Sequence, residues 1–93
     1  MKEITQEKVD KYFKVTEEAL ELAKVSKDRL DMPEQRADFV DMIERYVSDA
    51  HHFASKGDFV NAFAALNYAH GWLDAGARIG LFDVQDSRLF TVD

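Results

Sequence analysis

The chain has 93 residues, with one proline, four glycines and no cysteine. That length supports one core, and the composition excludes a disulfide scaffold, a thiolate zinc site, a cysteine nucleophile and a turn-rich all-β fold. Eighteen acidic residues against twelve basic ones leave a net charge of −6, a surface that phosphate backbones and anionic membranes repel unless basic residues cluster. They do not cluster: Lys8, Lys11, Lys14, Lys24 and Lys27 alternate with Glu7, Asp10, Glu17, Glu18, Glu21 and Asp28. Nucleic acid and membrane partners are therefore disfavoured. The opening Met1-Lys2-Glu3-Ile4 leads into charged residues with no apolar leader segment, so a cytoplasmic protein is expected. The longest stretch free of Asp, Glu, Lys and Arg, Phe59 to Leu73, is too short to cross a bilayer.

The first predicted helix spans about residues 5–26. Val9, Tyr12, Phe13, Thr16, Ala19, Leu20 and Ala23 recur at spacings of three and four, which places them on one helical stripe. Thr5 is the expected N-cap, and Glu7 suits the positive end of the helix dipole. Val15 and Leu22 fall off this stripe. The second predicted helix spans about 33–56. Pro33 stands at its first position, where no N–H partner is lost, and Asp31 is the expected cap. Phe39, Val40, Ile43, Tyr46, Val47, Ala50, Phe53 and Ala54 form its apolar stripe, and Gly57 ends it.

The third predicted helix spans about 58–80 and is capped by Asp58. Ala62, Ala65, Leu66, Ala69, Leu73 and Gly76, flanked by Trp72 and Ala77, form a core arc of mostly small residues. A second arc, Val60, Ala64, Tyr68, Gly71 and Ala75, also carries no charge. Only Asn67, His70, Asp74 and Arg78 make a polar strip. Three helices of about 22 residues, each about 33 Å long, with short connections, predict antiparallel neighbours. The expected fold is thus all-α, an up-and-down three-helix bundle forming one domain over residues 1–93. The tail, residues 81–93, packs back on it and buries Phe82 and Phe90.

Lys56-Gly57-Asp58-Phe59-Val60-Asn61-Ala62-Phe63-Ala64, Tyr68-Ala69-His70-Gly71-Trp72-Leu73-Asp74-Ala75-Gly76 and Arg78-Ile79-Gly80-Leu81-Phe82 resemble the hallmark of a family of short archaeal proteins, domain of unknown function 357. Asp10-Lys11-Tyr12-Phe13-Lys14 and Leu89-Phe90-Thr91-Val92 add to the likeness, which covers nearly the whole chain. The resemblance implies a compact three-helix up-and-down bundle. It implies no activity and carries over no catalytic or binding residue.

Chemistry-bearing residues are few. His70 and Asp74 lie one turn apart on a helix, with Asn67 and Arg78 extending the strip, a geometry that suits two metal ligands or an oriented base. A metal needs further ligands, for which Glu17, Glu21 or Glu44 are the nearest candidates by bundle level, but no Glu-x-x-His pair occurs. The simpler reading is a polar seam, with His70 hydrogen-bonded to a neighbour and Asp74 paired with Arg78. Adjacent His51 and His52 point about 100° apart on a helix and cannot chelate one ion well. Gly71 and Gly76 inside a helix each cost roughly 1 kcal/mol against alanine; close packing against a ring or the returning tail is the expected compensation, and a groove for a partner or ligand is the alternative.

No phosphate-binding glycine loop and no Gly-x-Ser-x-Gly elbow is present, and Ser26, Ser48, Ser55 and Ser87 lack evident His–acid partners. No catalytic residue and no cofactor are assigned. The uncharged second arc, Val60, Ala64, Tyr68, Gly71 and Ala75, needs a cover: the tail, a second chain, or both together. The expectation is a small non-enzymatic helical interaction module, self-associating or docking a protein partner through the third helix. The alternative is a metal- or small-ligand-binding protein, possibly an enzyme, using the His70/Asp74 strip.

Overall fold

The computed structural model of the chain describes residues 3–91. They form α1 (Gln6–Val25), α2 (Pro33–Ser55) and α3 (Phe59–Ile79), with no strand among the described residues. Each helix lies within a residue or so of its predicted span. The fold is an all-α three-helix bundle, with α2 and α3 in the most extensive contact and α1 touching α2 least.

The helix ends follow local chemistry. Thr5 Oγ1 accepts from Lys8 N–H at 3.2 Å and starts α1. Asp58 Oδ1 accepts from Asn61 N–H at 3.2 Å and starts α3. Asp31 does not cap α2: Met32 holds the N-cap position, and no side chain caps it. With Pro33 first in the helix, one of the amides that Asp31 would serve does not exist. Gly57 at φ 75° allows Gly57 N–H to reach Ala54 O at 3.0 Å and Asp58 N–H to reach Phe53 O at 2.9 Å. That double bond pattern ends α2 and turns the chain straight into α3.

The buried stripe of α1 is Val9, Thr16, Ala19, Leu20 and Ala23; that of α2 is Ile43, Val47 and Ala50. From α3 come Ala62, Ala65, Leu66, Ala69, Leu73, Gly76 and Ala77. Small α3 residues let α2 approach closely. The gap on the α1 side is closed by the tail, whose Leu81, Phe82, Val84, Leu89 and Phe90 are all buried against residues of the three helices. The Thr16 hydroxyl lies in this core without a hydrogen-bond partner.

One end of the bundle gathers the C-termini of α1 and α3 and the N-terminus of α2. Helix C-termini leave carbonyls without amide partners, and two arginines serve them. Arg36 Nη2 donates to Ala23 O at 3.0 Å, Lys24 O at 3.3 Å and Ser26 O at 2.6 Å, and Nη1 donates to Leu81 O at 2.6 Å. The same guanidinium lies 5.4 Å from the Phe82 ring centroid. Arg29 Nη2 donates to Ala77 O at 2.8 Å, near the end of α3. The α1–α2 loop and the start of the tail are further joined through Arg29 N–H to Gly80 O at 2.8 Å and Asp83 N–H to Lys27 O at 2.7 Å.

A lysine has one compact ammonium and cannot span this set of carbonyls as a planar guanidinium does. Arg36→Lys is therefore expected to lower unfolding free energy by about 2–3 kcal/mol, the scale of losing charge-assisted hydrogen bonds. Urea denaturation against the parent chain checks this.

Candidate functional site

The polar strip of α3 holds the tail. His70 Nε2 lies 2.6 Å from Leu89 O. A carbonyl only accepts, so Nε2 carries the proton. Asp74 Oδ1 accepts from Thr91 N–H at 2.8 Å, Asp74 Oδ2 accepts from Thr91 Oγ1–H at 3.3 Å, and His70 Nε2 stands 3.9 Å from Asp74 Oδ1. The carboxylates considered as co-ligands lie elsewhere. Glu17 Oε1 meets His51 Nε2 at 2.6 Å, and Glu21 and Glu44 lie 3.9 Å and 3.6 Å from Lys24 Nζ. Among the described residues, no group of three His, Cys, Asp or Glu side chains could hold a metal ion.

The tail has a second anchor on α1, where Arg88 Nη2 reaches Glu18 Oε1 at 2.7 Å. That hydrogen bond and the Glu18 charge, with Asp86 adding to them, raise the Arg88 pKa. Held by Glu18 on one side and by His70 and Asp74 on the other, the tail fills the space between α1 and α3. It therefore does not cover the uncharged arc, which was one of the two covers expected. Val60 and Tyr68 remain 63% exposed, and Ala64, Gly71 and Ala75 are exposed. Asn67 and Arg78 are exposed on the same side of α3.

This outer face has relief. On its α2 side, Phe39, Asn67, Tyr68, Gly71, Trp72 and Ala75 line a shallow groove of about 400 Å³. On its α1 side, Tyr12, Val15, Asn67, His70, Gly71 and Asp74 line another of about 310 Å³. Aromatic contacts set the walls. Phe39 meets Trp72 edge-on at 4.7 Å, Tyr46 stacks on Tyr68 at 5.4 Å, and Tyr12 meets Phe63 edge-on at 4.7 Å. Phe39, Tyr46 and Trp72 belong to core stripes in the sequence. Their place on the edges of those stripes is the signal that they also face outward.

The two glycines differ. A Cβ on Gly76 would lie 2.7 Å from Phe82 Cδ2 and 3.3 Å from Phe39 Cδ2, so Gly76 is packed as expected. A Cβ on Gly71 would meet nothing within 4 Å, which corrects the expectation of packing there. Gly71 sits on the crest between the two grooves, facing outward. His51 stacks on Phe13 at 4.2 Å and bonds Glu17, tying α2 to α1. His52 lies exposed beside it, in the last turn of α2.

A family model described as Protein of unknown function (DUF357) matches residues 11–82. The chain belongs to this family. The DUF357 match runs from early α1 to Phe82. It thus includes Arg36, Gly76 and the outer face of α3, whereas the tail atoms that bind His70 and Asp74 lie beyond it. No curated protein and no solved structure matches the chain. No helix among the described residues is long and apolar enough to cross a membrane.

The contrast between the glycines can be measured in this DUF357 chain. Gly71→Ala is expected to stabilise it by about 0.5–1 kcal/mol through helix propensity alone. Gly76→Ala is expected to destabilise it by about 1–3 kcal/mol, because the Phe82 ring is fully buried and has nowhere to move. Thermal denaturation of the two variants should give shifts of opposite sign.

Proposed function

We propose that the protein is a small non-enzymatic docking module that meets another protein, of its own kind or a different one, through the outer face of α3. The observation that carries this reading is the exposure of Val60 and Tyr68 on a helix face without a carboxylate at its centre, in a chain of 18 acidic residues. A solvated helix normally presents a broad charged face. An exposed face of apolar and small residues, flanked by aromatic-walled grooves, is the usual signature of a contact surface. The alternative reading, a metal or small-ligand site on His70 and Asp74, has no such support, since both side chains are engaged in holding the tail.

Tyr68→Glu and Ala64→Glu place a charge in the centre of the face. Each is expected to weaken association about tenfold or more, the scale of a central contact residue, with unchanged far-ultraviolet circular dichroism. Sedimentation velocity on the parent and both variants reads the effect. Identical sedimentation, together with identical retention of any co-purifying protein, would contradict the reading.

A further inference from the structure

The tail changes character at Asp83. Before it, Leu81 and Phe82 are fully buried, Leu81 O accepts from Arg36 Nη1 at 2.6 Å, and the Phe82 ring packs against Gly76. Asp83 N–H still reaches Lys27 O at 2.7 Å. Beyond it, among the described residues, no backbone–backbone hydrogen bond joins residues 84–91 to a helix. The backbone bonds of that stretch are local: Val84 N–H to Phe82 O at 3.1 Å, and Leu89 and Phe90 N–H to Asp86 O at 3.0 and 2.9 Å. Its hold on the bundle consists of three buried apolar side chains, Val84, Leu89 and Phe90, and of the contacts with Glu18, His70 and Asp74. The Arg88–Glu18 pair is exposed on both sides. A segment tied in this way opens locally while the rest of the fold stays intact.

The closed tail shows what the groove beneath it reads. His70 Nε2–H donates to a backbone carbonyl, Leu89 O at 2.6 Å, and Asp74 accepts from a backbone amide two residues on, Thr91 N–H at 2.8 Å. These two bonds address backbone and set the direction of the segment. Side chains supply the choice. Leu89 and Phe90 share one buried cluster with Ala19 and Ala23 of α1 and Ala69 and Leu73 of α3. Alanines on both walls leave room for the two larger side chains. Thr91 Oγ1–H reaches Asp74 Oδ2 at 3.3 Å, and Arg88 reaches Glu18 at 2.7 Å. Backbone bonds for hold and pockets for particular side chains are how grooves recognise linear segments. A basic residue in the segment also suits a chain of net charge −6.

We infer that residues 84–91 are a releasable strap, hinged at Asp83, over a groove that binds linear segments. When the strap lifts, the groove takes a segment of another protein with the same chemistry: a basic residue, two adjacent large apolar residues, then Ser or Thr. The strap is the built-in competitor. Its tether holds it near the groove at a local concentration on the order of millimolar, so weakening the strap opens the site to an incoming segment. The groove lies on the α1 flank of α3 and is separate from the outer face proposed above for docking.

The probe is a fluorescein-labelled peptide with the sequence of residues 83–91, titrated by anisotropy against the full-length parent and the full-length Arg88→Glu chain. Arg88 and Glu18 are exposed, so the substitution removes no buried contact, and it weakens only the strap, because the peptide keeps its own arginine. The peptide is expected to bind Arg88→Glu about threefold more tightly than the parent, the scale of an exposed ion pair turned repulsive. Phe90→Ala in the peptide is expected to weaken binding about tenfold or more, the scale of one buried aromatic side chain. Amide hydrogen exchange of the parent is expected to be about a hundredfold faster at Leu89, Phe90 and Thr91 than at Ala69 and Leu73. Strap amides that exchange only together with those of α3 would overturn the strap. Equal affinity for parent and Arg88→Glu, no saturable binding to either, or indifference to Phe90→Ala would overturn the groove as a peptide site. Tyr68→Glu is expected to leave the affinity for the peptide unchanged; its loss there would put the peptide on the outer face of α3 and overturn the inference as well.

Discussion

The Arg36 guanidinium joins the end of α1, the start of α2 and the start of the tail through one side chain. It binds carbonyls at the end of α1 and the Leu81 carbonyl two residues past α3, and it does so from the first turn of α2. The α1 carbonyls belong to the negative end of that helix, left without amide partners by helix geometry itself. A delocalised cation with five donors answers that need at modest desolvation cost, and its face against Phe82 adds a cation–π contact. With Leu81 and Phe82 fixed at that end, the tail has one direction left to run. It passes back between α1 and α3, where Glu18, His70 and Asp74 receive it.

The course of the tail decides what α3 offers to solvent. A bundle of three helices gives each helix one buried flank, and a strap across the α1–α3 groove buries a second flank of α3. The third remains: Val60, Ala64, Asn67, Tyr68, Gly71 and Ala75, without an acidic group among them. The His70–Asp74 pair, with the geometry of a reactive site, is a clasp. The face with the least reactive chemistry is the one left open. That distribution is what the proposed docking role requires: polar groups hold the scaffold and the apolar face stays open.

Much of the fold was legible because it follows from period and caps. Spacing of three and four marked the stripes of α1 and α2, Thr5 and Asp58 stood where caps belong, and Gly57 marked a turn that permits only a short connection. Burial of Phe82 and Phe90 followed from a tail too short to fold alone. The bonds of Arg36 were not legible. A charged residue in a first helical turn reads as solvated surface, and nothing local tells which carbonyls from residues 10 to 45 positions away will surround it. Gly71 and Gly76 read alike in sequence, five residues apart on one helix. Only the third dimension shows Phe82 over one and open space over the other. Asp31 misled because a good capping residue stands two positions before a stronger determinant of the start, Pro33, which leaves Met32 at the cap. For the candidate site, the uncharged arc was visible from the helical wheel, but its exposure depended on where the tail went, and that depended on Arg36.

If the outer face of α3 is a docking surface, a second copy is the first partner to test, and the tail should stay docked when it binds. Amide correlation spectra of the nitrogen-15-labelled chain, recorded across a wide dilution series, test both parts at once. The predicted result is concentration-dependent shifts confined to α3 around Val60, Ala64, Asn67, Tyr68, Gly71 and Ala75, with the amides of Leu89, Phe90 and Thr91 unmoved. Shifts centred on the tail or on the outer faces of α1 and α2, or spectra unchanged at every concentration, would contradict it.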